Sequence, residues 1–134
     1  MPNSVDIQIL NDGPANVTLK VSGVLTVSDL AQQVLVDPAL LGYMQPNLML
    51  KASRLRITRI NFDVEDGLAL NLLWDAPTPV QIWSCTGRGE VKTKDFGGFT
   101  NDAVSPTGKI LISTQGWATG STLSFNLVLE LRKA

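Results

Sequence analysis

The chain has 134 residues, of which 44% are apolar and 17% are charged, and its formal net charge is −1. This length predicts one domain, residues 1–134, with a hydrophobic core of its own. The balanced charge gives no reason to expect nucleic-acid binding by bulk attraction. The chain has no histidine and one cysteine, Cys85, which excludes Ser-His-Asp and Cys-His nucleophiles and the usual zinc sites. We therefore expect no enzyme, no cofactor and no metal.

The first six residues, Met-Pro-Asn-Ser-Val-Asp, contain no basic segment followed by an apolar run, so no secretory signal is visible. No apolar stretch approaches the roughly 20 residues that a membrane helix needs. A single thiol cannot form an intrachain disulfide, which suits a chain made in a reducing compartment. We expect no membrane partner and synthesis in a cytoplasm.

The chain begins with two alternating segments. Val5 to Ile9 and Val17 to Val21 alternate apolar and polar residues, and Asn11-Asp-Gly-Pro14 between them is a run of turn formers. This pattern predicts a first hairpin. The pattern then changes, and we interpret residues 24–50 as a long connection with one or two helical turns, because Ser28-Asp29 and Asp37-Pro38 are typical helix starts.

Further strands follow. Leu55 to Val64 alternates with a one-residue slip at Thr58-Arg59, which predicts a β-bulge. Leu68 to Thr86 contains two apolar runs, each with a Trp, on either side of Asp75-Ala-Pro-Thr-Pro79, which predicts a hairpin with Trp74 and Trp83 as core or rim anchors. The cleanest alternation is Leu123 to Leu131. In total we predict eight strands, near residues 5, 17, 55, 68, 80, 90, 109 and 122.

Closely spaced strands with almost no helix indicate an all-β fold. The predicted architecture is an antiparallel two-sheet sandwich, as an eight-stranded jelly roll. The long connection at 24–50 suits a crossing from one sheet to the other, and long loops in compact domains are often functional.

Four large side chains in predicted loops are candidate partner contacts: Tyr43, Phe96, Phe99 and Trp117. The two phenylalanines bracket a Gly-Gly pair in a polar loop, and either of them could instead plug one end of the sandwich. Trp117 lies in a turn flanked by glycines and is the best candidate for a sugar-binding platform.

Two charged clusters have simpler explanations than a ligand site. Lys51, Arg54, Arg56 and Arg59 place four cations in nine residues, which we interpret as a solvated or subunit-pairing face rather than a phosphate site. The acidic residues before Gly67 do not have EF-hand spacing, and a turn explains them equally well. They are Asp63, Glu65 and Asp66.

The chain resembles a family of small virion structural proteins of tailed bacteriophages, known from marine and cyanobacterial phages. The resemblance spans most of the chain, and it rests on Asn11-Asp-Gly-Pro14, Leu68-Ala-Leu-Asn-Leu-Leu-Trp-Asp75, Pro79-Val-Gln-Ile-Trp83, Asp95-Phe-Gly-Gly98, Ser113-Thr-Gln-Gly-Trp117 and Leu127-Val-Leu-Glu-Leu131.

The resemblance implies a virion component, a decoration or cement protein that binds the major capsid protein of its phage on the capsid surface. It implies no catalytic residues. Because such a protein binds a repeating lattice, we expect it to self-associate, as a homotrimer at threefold positions. The alternatives are a tail- or fibre-associated structural protein and a carbohydrate-binding jelly-roll module.

Overall fold

A computed structural model describes residues 3–134. The described chain contains nine strands and three short 3-10 turns, with no longer helix. The 3-10 turns are Pro38–Leu40, Pro46–Leu48 and Lys94–Phe96. The strands are β1 (Ser4–Asp12), β2 (Asn16–Leu25), β3 (Gln33–Val36), β4 (Leu55–Val64), β5 (Ala69–Trp74), β6 (Val80–Thr86), β7 (Arg88–Lys92), β8 (Ile110–Gln115) and β9 (Leu123–Lys133).

The strands form two antiparallel sheets. One has the order β1-β2-β9-β4-β7 and the other has the order β3-β8-β5-β6. The prediction of an all-β two-sheet sandwich is confirmed. Along the chain the pairs β2–β9, β3–β8, β4–β7 and β5–β6 are nested inside one another. This nesting is compatible with the predicted jelly roll, to which β1 adds a further strand at one edge.

The core lies between the sheets and is built by period-two alternation. In β2 and β9 every second side chain is buried, so one face of each strand is apolar and the other faces solvent. Phe125 and Trp74 are the largest fully buried side chains, and burying such a side chain contributes about 1.5–3 kcal/mol. Trp83 is only partly covered, so the predicted hairpin places one Trp in the core and one at its rim.

The structure differs from the prediction inside residues 24–50. β2 continues to Leu25, and the four-residue strand β3 was not predicted. A strand this short shows no readable period, and it is defined by pairing with β8, far away in the sequence. Asp37-Pro38 does begin a 3-10 turn, because the Asp37 carboxylate accepts a hydrogen bond from the N–H of Ala39. Asp29 begins no helix.

Asp29 has a tertiary role instead. Its carboxylate accepts hydrogen bonds from the N–H of Trp117 and from the Thr114 hydroxyl, both at 3.1 Å. The predicted bulge in β4 is confirmed, since the register with β9 shifts between Ile57 and Arg59. The hydroxyl of Thr58, the extra residue, donates to the carbonyl oxygen of Glu130 at 2.9 Å.

Candidate functional site

The connections between strands fall into two groups at opposite ends of the sandwich. Strand pairing places the short connections 26–32, 65–68, 87 and 116–122 at one end, which we call the short-loop end. The other end, the long-loop end, carries the turn 13–15 and the connections 37–54, 75–79 and 93–109. Most of the irregular chain is therefore gathered at one end.

Hydrogen bonds join the long connections to one another. The N–H of Asp75 donates to the carbonyl oxygen of Lys109 at 3.0 Å, and the N–H of Thr107 donates to the carbonyl oxygen of Asp75 at 3.1 Å. The Thr107 hydroxyl also donates to the Asp75 carboxylate at 2.8 Å. Gly108 lies against the carbonyl oxygen of Ser53, so closely that a Cβ there would clash with it. The loops of the two sheets are thus held as a unit.

A buried lysine fixes the connection 37–54 to the sheet. The Lys133 ammonium donates to Asp12 Oδ1 at 2.6 Å and to the carbonyl oxygen of Gly42 at 2.9 Å, and its side chain has no exposed surface. Asp12 Oδ2 accepts from the N–H of Gly42 at 2.7 Å. Burial raises the pKa of the Asp12 carboxyl, but the hydrogen bonds from Lys133 and Gly42 together outweigh it, and the pKa lies below its usual 3.8.

The long-loop end exposes apolar side chains. Of the thirteen large apolar residues that are exposed in the described chain, seven lie in its loops and only Val27 lies in a loop of the short-loop end. This asymmetry makes the long-loop end the candidate contact surface, since exposed apolar side chains are typical of interaction sites. We call these seven the apolar loop residues: Leu40, Tyr43, Leu48, Met49, Leu50, Phe96 and Val104.

The segment that carries most of them has a defined conformation. The N–H groups of Met44 and Gln45 donate to the carbonyl oxygen of Leu50 at 2.7 and 3.1 Å, and the N–H of Leu50 donates back to Gln45 at 3.2 Å. The 3-10 turn Pro46–Leu48 closes the tip, and Met49 takes a left-handed conformation after it. Leu48 and Met49 are 72% and 70% exposed. A tip held in this way loses little conformational freedom when a partner binds.

The two phenylalanines of the Gly-Gly loop have different environments. Phe96 is 85% exposed. Phe99 packs against the core, its ring centroid lies 5.7 Å from that of Trp83, and its N–H donates to the Ile57 carbonyl oxygen at 2.8 Å. Gly98 permits this approach, because a Cβ there would lie 2.9 Å from the same oxygen and φ is +91°. Phe99 therefore belongs to the packing of the core, whereas Phe96 remains exposed and available for contact.

The other two predicted contact residues are separated by the length of the sandwich. Tyr43 lies at the long-loop end, with the Lys51 ammonium 5.5 Å from its ring centroid. Trp117 lies at the short-loop end and packs partly against the core. Its indole N–H donates to the carbonyl oxygens of Leu25 and Ser121 at 3.2 and 3.0 Å. The structure therefore brings Tyr43 and Phe96 to one end and leaves Trp117 at the other.

Leu40, Leu48 and Met49 are prominent in the site and were not predicted as contact residues. A signal for them exists in the sequence. The segment 40–50 is rich in leucine and methionine but follows neither a period of 2 nor one of 3.6. An apolar segment without a period cannot place all of its side chains on one buried face, so some of them must be exposed.

The outer face of the five-stranded sheet has a polar groove of about 660 Å³. The Arg59 guanidinium donates to Glu130 at 3.2 Å and to Glu90 at 3.1 Å, and these hydrogen bonds raise its pKa. Lys92 adds a contact of 3.2 Å to Glu90. Charges that neutralise one another across neighbouring strands are typical of a solvated face.

Two of the acidic residues near Gly67 also bond to neighbouring parts of the chain. Asp63 pairs with Arg88 at 3.1 Å. Glu65 accepts the N–H of Ser124 at 2.7 Å. In residues 3–134, no group of three or more His, Cys, Asp or Glu side chains is arranged to hold a metal ion.

Comparison with protein-family models, with curated proteins and with solved structures finds no similar protein. The resemblance to phage virion proteins is thus a prediction from the sequence. Within the described chain, residues 3–134, no helix has the length and apolar character to cross a membrane.

Proposed function

We propose that this chain is a structural protein of a phage virion, a decoration or cement protein that binds the major capsid protein through its long-loop end. The observation that carries the proposal is the concentration of apolar loop residues at one end of the sandwich, five of them in the connection 37–54, which the buried Lys133–Asp12 pair holds at Gly42. The resemblance of the sequence to phage virion proteins supports the same function.

The composition of the surface suits a protein partner. Leu48, Met49 and Phe96 are large, exposed and unbranched at Cβ, so they can enter pockets of a partner as central anchors. Charged side chains of the same connections, such as Lys51, supply the polar rim that interfaces usually have. A rigid site of this kind binds a lattice repeatedly with a single geometry.

Co-sedimentation with undecorated capsids of the same phage tests the proposal. The variants are Leu48→Ser/Met49→Ser and, separately, Phe96→Ala; Val27→Ser is the matched control, because it removes an exposed apolar side chain at the short-loop end. We expect each long-loop variant to weaken binding at least about tenfold, which corresponds to about 1.4 kcal/mol. The control should bind as the wild type does.

Two results would overturn the proposal. If the long-loop variants bound capsids as tightly as the wild type, the contact surface would be elsewhere. If the wild-type chain ignored capsids and bound isolated tails, the alternative of a tail- or fibre-associated protein would replace it. Circular dichroism of each variant separates a lost contact from a lost fold.

A further inference from the structure

Each sheet of the sandwich has two edge strands, and three of the four edges carry features that oppose pairing with another chain. β3 has four residues and a register shift, and Pro38 follows it closely. β6 has a register shift and follows Pro77 and Pro79. β7 has five residues, three of them charged, and two of these, Arg88 and Glu90, form ion pairs with β4. Short length, bulges, prolines and charges are the usual means of blocking an edge.

The fourth edge, β1, is the longest of the four edge strands, and its only charged residues are Asp6 and Asp12. It has nine residues, Ser-Val-Asp-Ile-Gln-Ile-Leu-Asn-Asp, without lysine, arginine or proline. Its one register shift lies near its end, between Ile9 and Asn11. In residues 3–134 it pairs with β2 alone. A strand of this length with one open edge is a ready template for a further strand.

The side chains of β1 identify the strand that fits beside it. Val5 and Ile7 point inward and pack only partly against the core, and Ile9 is 48% exposed on the same side of the strand, opposite buried Leu19. Asp6 and Gln8 point to the solvent face. A neighbouring strand must therefore offer three apolar residues on its inner side and an uncharged or basic residue opposite Asp6.

We propose that β1 pairs antiparallel with β1 of a second copy of this chain, across a twofold axis at Ile7. In this register Ile7 lies opposite Ile7 of the second copy and Val5 lies opposite its Ile9, so the inner side is apolar throughout. On the outer side Asp6 lies opposite Gln8 of the second copy, an arrangement that permits a hydrogen bond. The two five-stranded sheets then continue into one another.

Other registers are disfavoured. A shift of the pairing by one residue places the apolar residues of one strand opposite the polar residues of the other. An axis at Asp6 puts two carboxylates directly opposite each other, which is destabilising. An axis at Gln8 places Val5 opposite Asn11 and crosses the register shift near Leu10. Of these registers, only the axis at Ile7 places apolar residues opposite one another on the inner face and avoids opposed carboxylates on the outer face without crossing the register shift.

This contact is independent of capsid binding, because β1 is a strand and the apolar loop residues lie in connections. It gives a twofold dimer, whereas lattice symmetry led us to expect a trimer. Sedimentation equilibrium of the purified wild-type chain should therefore show a concentration-dependent monomer–dimer equilibrium. A chain that stayed monomeric at high concentration, or that formed a trimer, would overturn the pairing and leave the capsid proposal intact.

A charge exchange within β1 tests the register. Gln8→Asp places carboxylates opposite each other twice per dimer, and we expect the dissociation constant of the dimer to rise about tenfold. The double variant Asp6→Gln/Gln8→Asp restores the carboxylate–amide pairs and should restore the wild-type dimer. Asn16→Asp adds the same charge on β2 beside Arg132 and serves as the control. If Gln8→Asp dimerised normally, or if the double variant did not recover, the register would be wrong.

A covalent test uses the axis itself. Cysteines at Ile7 lie directly opposite each other, so Ile7→Cys should form a disulfide-linked dimer on mild oxidation. Asp6→Cys should not, because its two thiols lie on a diagonal that exceeds disulfide reach. Native Cys85 is buried and does not compete. Crosslinking of Asp6→Cys in preference to Ile7→Cys would overturn the proposed axis.

Discussion

Lys133 and Asp12, near opposite ends of the chain, form an ion pair in which Nζ lies 2.6 Å from Oδ1 and the lysine side chain is fully buried. The same ammonium contacts the carbonyl oxygen of Gly42. The pair thus ties β1, β9 and the connection 37–54 together at the base of the proposed contact surface. The connection 37–54, which carries five of the seven apolar loop residues, is thus held by a charge that is inaccessible to water.

The two members of this pair should respond unequally to substitution. Asp12→Ala leaves a buried ammonium without a counter-ion, and we expect a loss of about 3 kcal/mol in the free energy of unfolding. Lys133→Met leaves the Asp12 carboxylate, whose side chain is 27% exposed and can be hydrated, so a smaller loss of about 1–2 kcal/mol is expected. Urea denaturation measures both. A larger loss in Lys133→Met would contradict the assignment of lysine as the buried member.

The pair should also make stability depend on pH in the acid range. Because the pKa of Asp12 in the folded chain lies below its ordinary value of 3.8, the unfolded chain takes up the proton first as the pH falls. The contribution of the ionised Asp12 carboxylate to the free energy of unfolding is therefore fully present at neutral pH. It declines as the pH approaches 3.8 and is lost below the folded pKa. Between pH 5 and pH 2 the free energy of unfolding of Asp12→Asn should fall less steeply than that of the wild type. Equal slopes for the two proteins would contradict the pairing.

Gly108 should be the least replaceable glycine of the long-loop end. Its φ is +91°, and a Cβ would also press on the backbone of Ser53. Gly120 has a φ of +85° but no atom within 4 Å of an added Cβ. We expect Gly120→Ala to cost about 1 kcal/mol from the left-handed conformation alone. Gly108→Ala should cost about 1–3 kcal/mol more, because of the clash. Equal melting temperatures for the two variants would show that the clash is relieved.

Phe99 and Trp83 should be coupled in stability, whereas Phe96 should not contribute. Phe99→Ala removes a ring packed against the core and should cost about 2–4 kcal/mol. Phe96→Ala should change stability by less than about 0.5 kcal/mol, as is usual for exposed positions. A double-mutant cycle between Phe99 and Trp83 should give a coupling energy of about 0.5–1.5 kcal/mol. Absence of coupling would indicate that the rings do not stack in solution.

The single thiol should be inert in the folded chain. Burial raises the pKa of Cys85 to about 12, and only the thiolate reacts readily with a disulfide reagent. We expect no labelling of the native protein at pH 8 over the time in which a denatured sample reacts completely. Rapid labelling of the native chain would show that β5 and β6 open readily.

The sequence predicted the elements whose signal is local. Alternation identified β1, β2, β4 and β9, the proline-containing turn identified the hairpin of β5 and β6, and the phase slip at Thr58 identified the bulge. β3 was missed because four residues show no period and their structure depends on β8. The link between Asp12 and Lys133 joins residues 121 positions apart, and no local pattern can indicate it.

The site was predicted in part for the same reason. Phe96 and Tyr43 were identified because large apolar side chains lie in polar or irregular segments. Only the packing showed that Phe99 is turned inward and that Trp117 lies at the opposite end. Leu48 and Met49 were missed because an apolar segment without a period was interpreted only as a connection.

Cryo-electron microscopy of undecorated capsids incubated with the purified chain tests the proposed function most directly. We expect added density on the outer shell, into which the sandwich fits with the connections 37–54 and 93–109 facing the major capsid protein. Leu48, Met49 and Phe96 should lie within contact distance of it. Density in which the short-loop end and Trp117 face the shell, or no density on the capsid at all, would contradict the proposal.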